Sequence, residues 1–185
     1  MEIILASNSP RRKELLSLTG LNFTIKTKEV DEILDKNLSV TKQIENIAYS
    51  KAKEIAKEYP NHLVIGADTV VVVNELILGK PKNESDARRM MKLLQNNVHQ
   101  VITGVALCYN GNVELLHEIT DVEFYSMTEE EIEKYIAIKD IYDKAGAYAI
   151  QGDAALYIKK INGDYYNVMG LPIAKLYKKI QEITK

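Results

Sequence analysis

The chain has 185 residues, of which 46% are hydrophobic and 27% charged, and its formal net charge is −2. That is the balance of a soluble globular protein, one ordinary domain or two small lobes sharing a core, without the basic excess of a duplex-DNA binder. Cys108 is the only cysteine, which excludes an intrachain disulfide, and no apolar run approaches the ~18 residues of a membrane span.

The opening "MEIILAS" has no basic segment and too few apolar residues for a signal peptide, so a reducing, cytoplasmic setting without a membrane is expected. A strand at Glu2–Ala6 leads into a helix over Pro10–Leu18, with Ser9 as its cap and Pro10 in its first helical position. Arg11, Arg12 and Lys13 follow, although a helix start favours acids and a capping box would place Glu or Gln where Arg12 stands. After the alternating piece "LNFTIKTKEV", a helix is expected at about Thr41–Tyr59, with Ile44, Ile47, Ala48, Ala52, Ile55, Ala56 and Tyr59 on one stripe. "HLVIGADTVVVV" is the clearest strand and continues past Asn74-Glu75 into "LIL". "ESDARRMMKLLQN" reads as a helix with Ala87, Met90, Met91 and Leu94 inward. "HQVITGVALCY" and "NVELLHEITDVEFY" read as strands joined by a tight Asn110-Gly111 hairpin. Thr128 and Glu131 form a capping box for a helix to about Ile138. "ALYIKKI", Asn162-Gly163 and "DYYNVMG" give a second hairpin signal. Pro172 then opens a terminal helix with Ile173, Leu176, Tyr177, Ile180 and Ile183 inward. Interleaved helices and strands broken by hairpins predict an α/β protein with a mixed sheet.

Several polar residues stand where a core would be apolar. Lys51 lies in the stripe of the long helix, so it either snorkels to water or meets a partner. Asp68 interrupts an apolar strand; it is a turn residue between two short strands, or a carboxylate held by hydrogen bonds or a cation. Gly66, two residues earlier, marks a bulge or a close approach. Lys80 in "GKPK" and the acids Asp31 and Glu32 in "VDE" read alone as a turn and a solvated pair. "DKAGAYAIQG" places Gly146, Gln151 and Gly152 where a ligand could near the backbone. Taken together, Arg11, Arg12, Lys51 and Lys80 can surround a polyanion, and Glu32 and Asp68 can offer hard oxygen ligands to Mg²⁺ or Mn²⁺. A phosphate chain at the first helix would accept from its unpaired N–H groups and give the arginines a partner.

The blocks "LASNSPRRKELL", "VDE", "SKA", "GADTVV", "GKPK", "TGV", "DKAGAYAIQG" and "INGDYYNVMGLP" run in one order over nearly the whole chain. In this the sequence resembles the Maf-type nucleoside triphosphate pyrophosphatases. The resemblance implies one Maf-like domain over residues 1–185, in two lobes with a central cleft and an elongated mixed sheet flanked by helices. It also implies similarity to the inosine-triphosphate pyrophosphatase architecture. The implied reaction is hydrolysis of a nucleoside triphosphate to the monophosphate and pyrophosphate with a divalent cation, commonly in a homodimer. Asp68 matches the family's proton acceptor, and Ser7, Arg12, Glu32, Lys51 and Lys80 match its phosphate and metal site. Three positions mark substrate subtypes. Arg11, Thr69 and Gln151 resemble the branch acting on dTTP and UTP, whereas a branch preferring a methylated guanine nucleotide has tryptophan at the first and glutamate at the third. A glutamine amide both donates and accepts, as the carbonyls and single N–H of uracil and thymine require.

The expected chemistry is attack of water on the α-phosphorus, with Asp68 as base, metal ligand or both, and Arg12, Lys51 and Lys80 neutralising charge. Replacing Lys51 by alanine is expected to lower substrate affinity with little change in melting temperature if the ammonium meets phosphate. The family resemblance also carries possible roles in excluding non-standard nucleotides and in cell-division arrest. A rival reading is a nucleotide-sensing regulator of septum formation with little turnover; it needs the cations but not a base. A stable nucleic-acid module is disfavoured by the slight acidity and by only two phenylalanines and no tryptophan for stacking. His62, His99, His117 and Cys108 show no zinc spacing, and Cys108 in an apolar strand is a poor nucleophile.

Overall fold

The computed structural model describes residues 2–31, 35 and 37–184. In chain order its elements are β1 (Ile3–Leu5), α1 (Pro10–Ser17), β2 (Phe23–Ile25), α2 (Val40–Ala56), β3 (Leu63–Val73), β4 (Leu76–Leu78), α3 (Glu84–Leu94), β5 (Val98–Tyr109), β6 (Asn112–Phe124), α4 (Glu129–Ile136), β7 (Ile158–Asn162), α5 (Tyr165–Met169) and α6 (Ile173–Ile183). Short 3₁₀ turns cover Lys139–Asp143, Ala145–Ala147 and Asp153–Leu156. The strands form one sheet in the order β2-β1-β3-β5-β6-β7, with β4 also on β3. β1 runs parallel to β2 and β3, with Ile3 opposite Phe23 and Leu63. β4 and β7 are antiparallel to β3 and β6. The expected mixed α/β sheet flanked by helices is therefore present.

Local signals account for most element boundaries. Ser9 caps α1 by accepting from the Arg12 N–H, and Ser39 caps α2 in the same way from Lys42. Thr128 and Glu131 make both bonds of the capping box on α4. Asn74 and Glu75 both have positive φ, 48° and 64°, and Asn110-Gly111 repeats this at 49° and 78°. Two such residues in a row give the turn whose twist suits a two-residue hairpin. One expectation is corrected: after β7 the chain does not turn into a second hairpin, since "YYNVM" forms the short helix α5. Asp164 there accepts from the Tyr166 N–H through its side chain, an Asx-type bond that opens a helical turn instead of a strand. Tyr177 is a second correction, being 37% exposed on α6 while Ile173, Leu176 and Ile180 are buried.

The chain divides into two units. The first holds Met1–Thr69, Thr103–Glu118 and Gly170–Lys185, and the second Val70–Ile102 and Ile119–Met169. In the first, α2 lies directly on the sheet. A Cβ on Gly66 would stand 2.2 Å from the Ala48 carbonyl oxygen, and one on Gly104 2.7 Å from the Ile44 carbonyl carbon. The close approach anticipated at Gly66 is thus made by a helix backbone. Ile4, Ala48, Ala52, Ile55, Val64 and Ala106 pack there as one apolar cluster. In the second unit the core gathers around Met90, Met91, Leu94, Phe124, Tyr135 and Tyr148. Gly146, at φ 67°, lies in that unit against Val71, where a Cβ would meet the valine Cγ2 at 2.8 Å. This position serves packing.

Candidate active site

The candidate site of the first unit is built at the carboxyl end of β1 and the middle of β3. Asp68 lies inside the continuous strand Leu63–Val73, so it is not a turn residue. Its Oδ1 accepts from Lys51 Nζ at 2.7 Å, and the two side chains are 14% and 20% exposed. Lys51 arrives from α2, whose stripe packs on Gly66 two residues before Asp68. The stripe position, the glycine and the aspartate are therefore one arrangement: the helix comes close enough for its lysine to reach the strand's carboxylate. The lysine does not simply snorkel.

Arg12 is held on three sides. Its Nε donates to the Gly170 carbonyl at 2.8 Å, Nη1 to Ser7 Oγ at 3.2 Å and Nη2 to Thr69 Oγ1 at 3.0 Å. The cation at the helix start is thus turned onto a set of neutral oxygens, and the planar fork of donors fixes its plane. Ser7 is buried and also receives the Ser9 N–H, at 3.3 Å. Gly170, at φ 110°, presses on this contact: a Cβ there would lie 3.5 Å from Thr69 Oγ1 and 3.6 Å from Arg12 Nε. Behind Thr69 stands Thr103, fully buried, with 2.9 Å between the hydroxyl oxygens.

A cavity of about 530 Å³ opens beside these residues, lined by Ser7, Asn8, Arg12, Lys28, Asp31 and Lys51 among others. It is large enough for a nucleotide-sized ligand, and its walls carry guanidinium, ammonium, hydroxyl and carboxylate groups. The first unit therefore brings together Ser7, Arg12, Lys51, Asp68 and Thr69, with Arg11 partly buried on the same first turn of α1. Glu32 lies outside the described residues. Lys80 and Gln151 belong to the second unit, where both are exposed: Lys80 follows β4, and Gln151 lies in the turns before β7. Reading the sequence missed Thr103 and Gly170. Both stand in motifs, "TGV" and "VMGLP", but their partners are 34 and 158 residues away.

Fit to a divalent cation rests on donor chemistry. Asp68 offers carboxylate oxygen, and Glu29 and Asp31 bring more of it to the cavity wall. Among the described residues no group of three or more His, Cys, Asp or Glu side chains could hold a metal alone. Oxygen donors of this kind fit a hard divalent cation, which so few carboxylates would hold only together with other oxygen ligands.

The chain resembles proteins whose names point to the same chemistry. It matches the family model described as "Maf-like protein" over residues 2–183. A Geobacillus sp. (strain WCH70) protein named dTTP/UTP pyrophosphatase is 48% identical over 182 residues, covering 98% of each chain. A Bacillus cereus (strain ATCC 10987) protein of the same name is 45% identical over 98% of this chain and 89% of its own. Among solved structures, the Staphylococcus aureus Ham1 protein superposes with a TM-score of 0.56 at 13% identity over the whole of both chains. A Coxiella burnetii HAM1 protein gives 0.54 at 13% over 98% and 99%. These two likenesses concern the fold alone. With a family match over residues 2–183 and close relatives over nearly the whole length, the chain belongs to the Maf-like protein family.

Proposed function

We propose that the protein hydrolyses dTTP and UTP to the nucleoside monophosphate and pyrophosphate. The observation that carries this reading is the Lys51–Asp68 pair, 2.7 Å apart, with Lys51 on the wall of a cavity that Arg12 and Ser7 also line. The names of the Geobacillus and Bacillus relatives support the choice of nucleotides. A water molecule attacks the α-phosphorus, forming a new P–O bond as the bond to the β-phosphate oxygen breaks and pyrophosphate leaves. Asp68 takes the water's proton, and its hydrogen bond from Lys51 keeps the carboxylate oriented. Arg12 and Lys51 counter the charge that grows on the phosphates, and Arg12, already fixed at three points, needs no reorganisation to do so. Ser7 holds one arm of that guanidinium.

Lys80 and Gln151 take their roles from the family pattern, as a phosphate cation and as the amide that recognises the pyrimidine edge. Arg11 and Thr69 complete the selection of substrate. Asp68 and, from the family pattern, Glu32 would hold Mg²⁺ or Mn²⁺, and the ion would supply polarisation of the phosphate and acidification of a bound water. The chain acts as a single Maf-type domain, as a homodimer and in the cytoplasm. No helix among the described residues is long and apolar enough to cross a membrane.

The test is product identification with purified protein, Mg²⁺ and a panel of nucleotides. Monophosphate and pyrophosphate from dTTP and UTP, abolished by a chelator, are expected. Diphosphate with orthophosphate would move the protein to another hydrolase class. Tight binding without turnover would favour the regulator of septum formation.

A further inference from the structure

Thr103 is a hydroxyl in an apolar place. It is fully buried on β5, among the buried Val101, Ile102, Val105 and Ala106. Valine has its shape without the oxygen, and a buried hydroxyl is costly unless it is bonded. Its Oγ1 lies 2.9 Å from Thr69 Oγ1, and Thr69 Oγ1 lies 3.0 Å from Arg12 Nη2. Arginine only donates, so the Thr69 oxygen must accept from Arg12. The two threonine hydroxyls then share one hydrogen along their axis. Whichever of them donates, two of the three bonding directions at Thr69 Oγ1 are taken, and the third is fixed.

We infer that Thr103 is a positioning residue: through its hydroxyl it orients the Thr69 hydroxyl, and with it the Arg12 guanidinium, for the substrate. This rests on the reading above that Thr69 and Arg12 meet the nucleotide, and it adds a residue that reaches the reaction only through another. Being fully buried, Thr103 acts through Thr69. Arg12 also donates to the Gly170 carbonyl, and a Cβ added at Gly170 would be in contact with both Thr69 Oγ1 and Arg12 Nε. Rotation of the Thr69 hydroxyl would therefore disturb a three-residue junction and not one side chain.

The experiment is a double-mutant cycle on the full chain with T69V, T103V, T69V/T103V and the conservative T103S, scored by pyrophosphate release from dTTP and UTP. We expect T103V to lose about 10-fold in kcat/KM, the scale of one buried hydroxyl left without its partner. T103S should recover to within about 3-fold of wild type, because serine keeps the oxygen. The double variant should be no worse than T69V alone, since Thr103 would have nothing left to orient. A merely structural role would lower the melting temperature while leaving kcat/KM unchanged, or give losses that multiply; either result overturns the inference. If T103V does not fold by circular dichroism, T103C carries the same cycle, its thiol being a weak donor and acceptor. If wild type releases no pyrophosphate from any nucleotide, the hydrolase reading fails by itself. The cycle is then scored on UTP affinity by calorimetry, where multiplying losses, or no binding at all, overturn the role of Thr103.

Discussion

Lys51 Nζ and Asp68 Oδ1 stand 2.7 Å apart, a helix lysine and a strand carboxylate both largely withdrawn from water. If Asp68 is the base, Asp68→Asn separates its chemical role from its structural one. The amide oxygen of asparagine still accepts the lysine's hydrogen bond, so folding is preserved while the proton acceptor is gone. Turnover should fall by at least ~10²-fold, the scale of a lost general base, with a melting temperature close to wild type. Steady-state pyrophosphate release and calorimetric melting check this, and a D68N enzyme at wild-type rate removes Asp68 from the chemistry.

Lys51→Ala acts on the other member and revises what the sequence implies for stability. Alanine suits the helix, which by itself points to no cost. The observed pair changes the balance: truncation leaves a part-buried carboxylate short of a cationic partner, at about 1–3 kcal/mol. Both the melting temperature and kcat/KM should drop, with the loss of affinity for triphosphate exceeding that for monophosphate. Unchanged stability would mean that the pair is loose in solution.

Arg12→Lys is expected to behave as a severe change. A lysine keeps the charge but is a point donor, without the fork that spans Gly170 O, Ser7 Oγ and Thr69 Oγ1. We expect kcat/KM to fall by about 10-fold or more, the worth of a positioned charged donor. Kinetics of the variant at raised ionic strength separate charge from geometry, because loss of charge alone does not occur here. Wild-type kinetics in the lysine variant would show that geometry is irrelevant.

What the sequence disclosed and what it hid divides along sequence distance. Ser9 capping α1, the stripe of α2, the Thr128–Glu131 box and the paired positive-φ turns are bonds between near neighbours, so residue types announce them. Asp68 and Lys51 drew notice because each breaks an apolar pattern, although their pairing was not visible. The neutral partners of Arg12 were hidden: a carbonyl 158 residues away has no signature, since every residue has one. Gly66 reads in the sequence as a bulge or a close approach, and only the placement of α2 shows that helix backbone fills the space there and at Gly104. "DYYNVMG" carried a turn signal and aromatic residues typical of strands, but the local Asp164 bond and the fully buried Asn167, donating to the Val101 carbonyl and Thr120 Oγ1, commit it to a helix.

Gly66→Ala tests how α2 is seated. The added methyl would lie 2.2 Å from Ala48 O and 2.9 Å from Ala52 N, and backbone atoms cannot swing aside as a side-chain tip can. Overpacking of this kind costs about 1–3 kcal/mol or more. The helix must shift, and Lys51 lies on the turn between those two alanines, so activity should fall together with stability. Gly79→Ala is the control for stability, with nothing within 4 Å of its added carbon; its change should stay within about 0.5 kcal/mol. Urea midpoints for both variants decide the matter, and equal midpoints would refute the close seating of α2.

His99 sets a pH dependence in the second unit. It is 2% exposed, its Nε2 is 2.7 Å from the Tyr148 hydroxyl, and its Nδ1 is buried without a hydrogen-bond partner. The ring also stands edge-on to Phe124 and Tyr148, at 5.1 and 5.3 Å. Burial holds its pKa down to about 4, against about 6.5 in an unfolded chain. Above pH 6.5 the imidazole is neutral in both states and its contribution is complete. Between about 6.5 and 4 the unfolded chain binds a proton that the fold refuses, so stability falls as pH falls, by up to about 3 kcal/mol. Glu45 adds a separate acid loss. Burial pushes its pKa up, but the hydrogen bonds from Lys42 and His117 outweigh this and hold it below the usual range, so its contribution fades only at lower pH. Replacing His99 by phenylalanine keeps the ring packing and removes the titration, at a fixed cost from the stranded Tyr148 hydroxyl. Urea unfolding from pH 7.5 to 4 should show wild type losing more stability than H99F across the window, and two parallel curves would mean that His99 charges inside the fold without penalty.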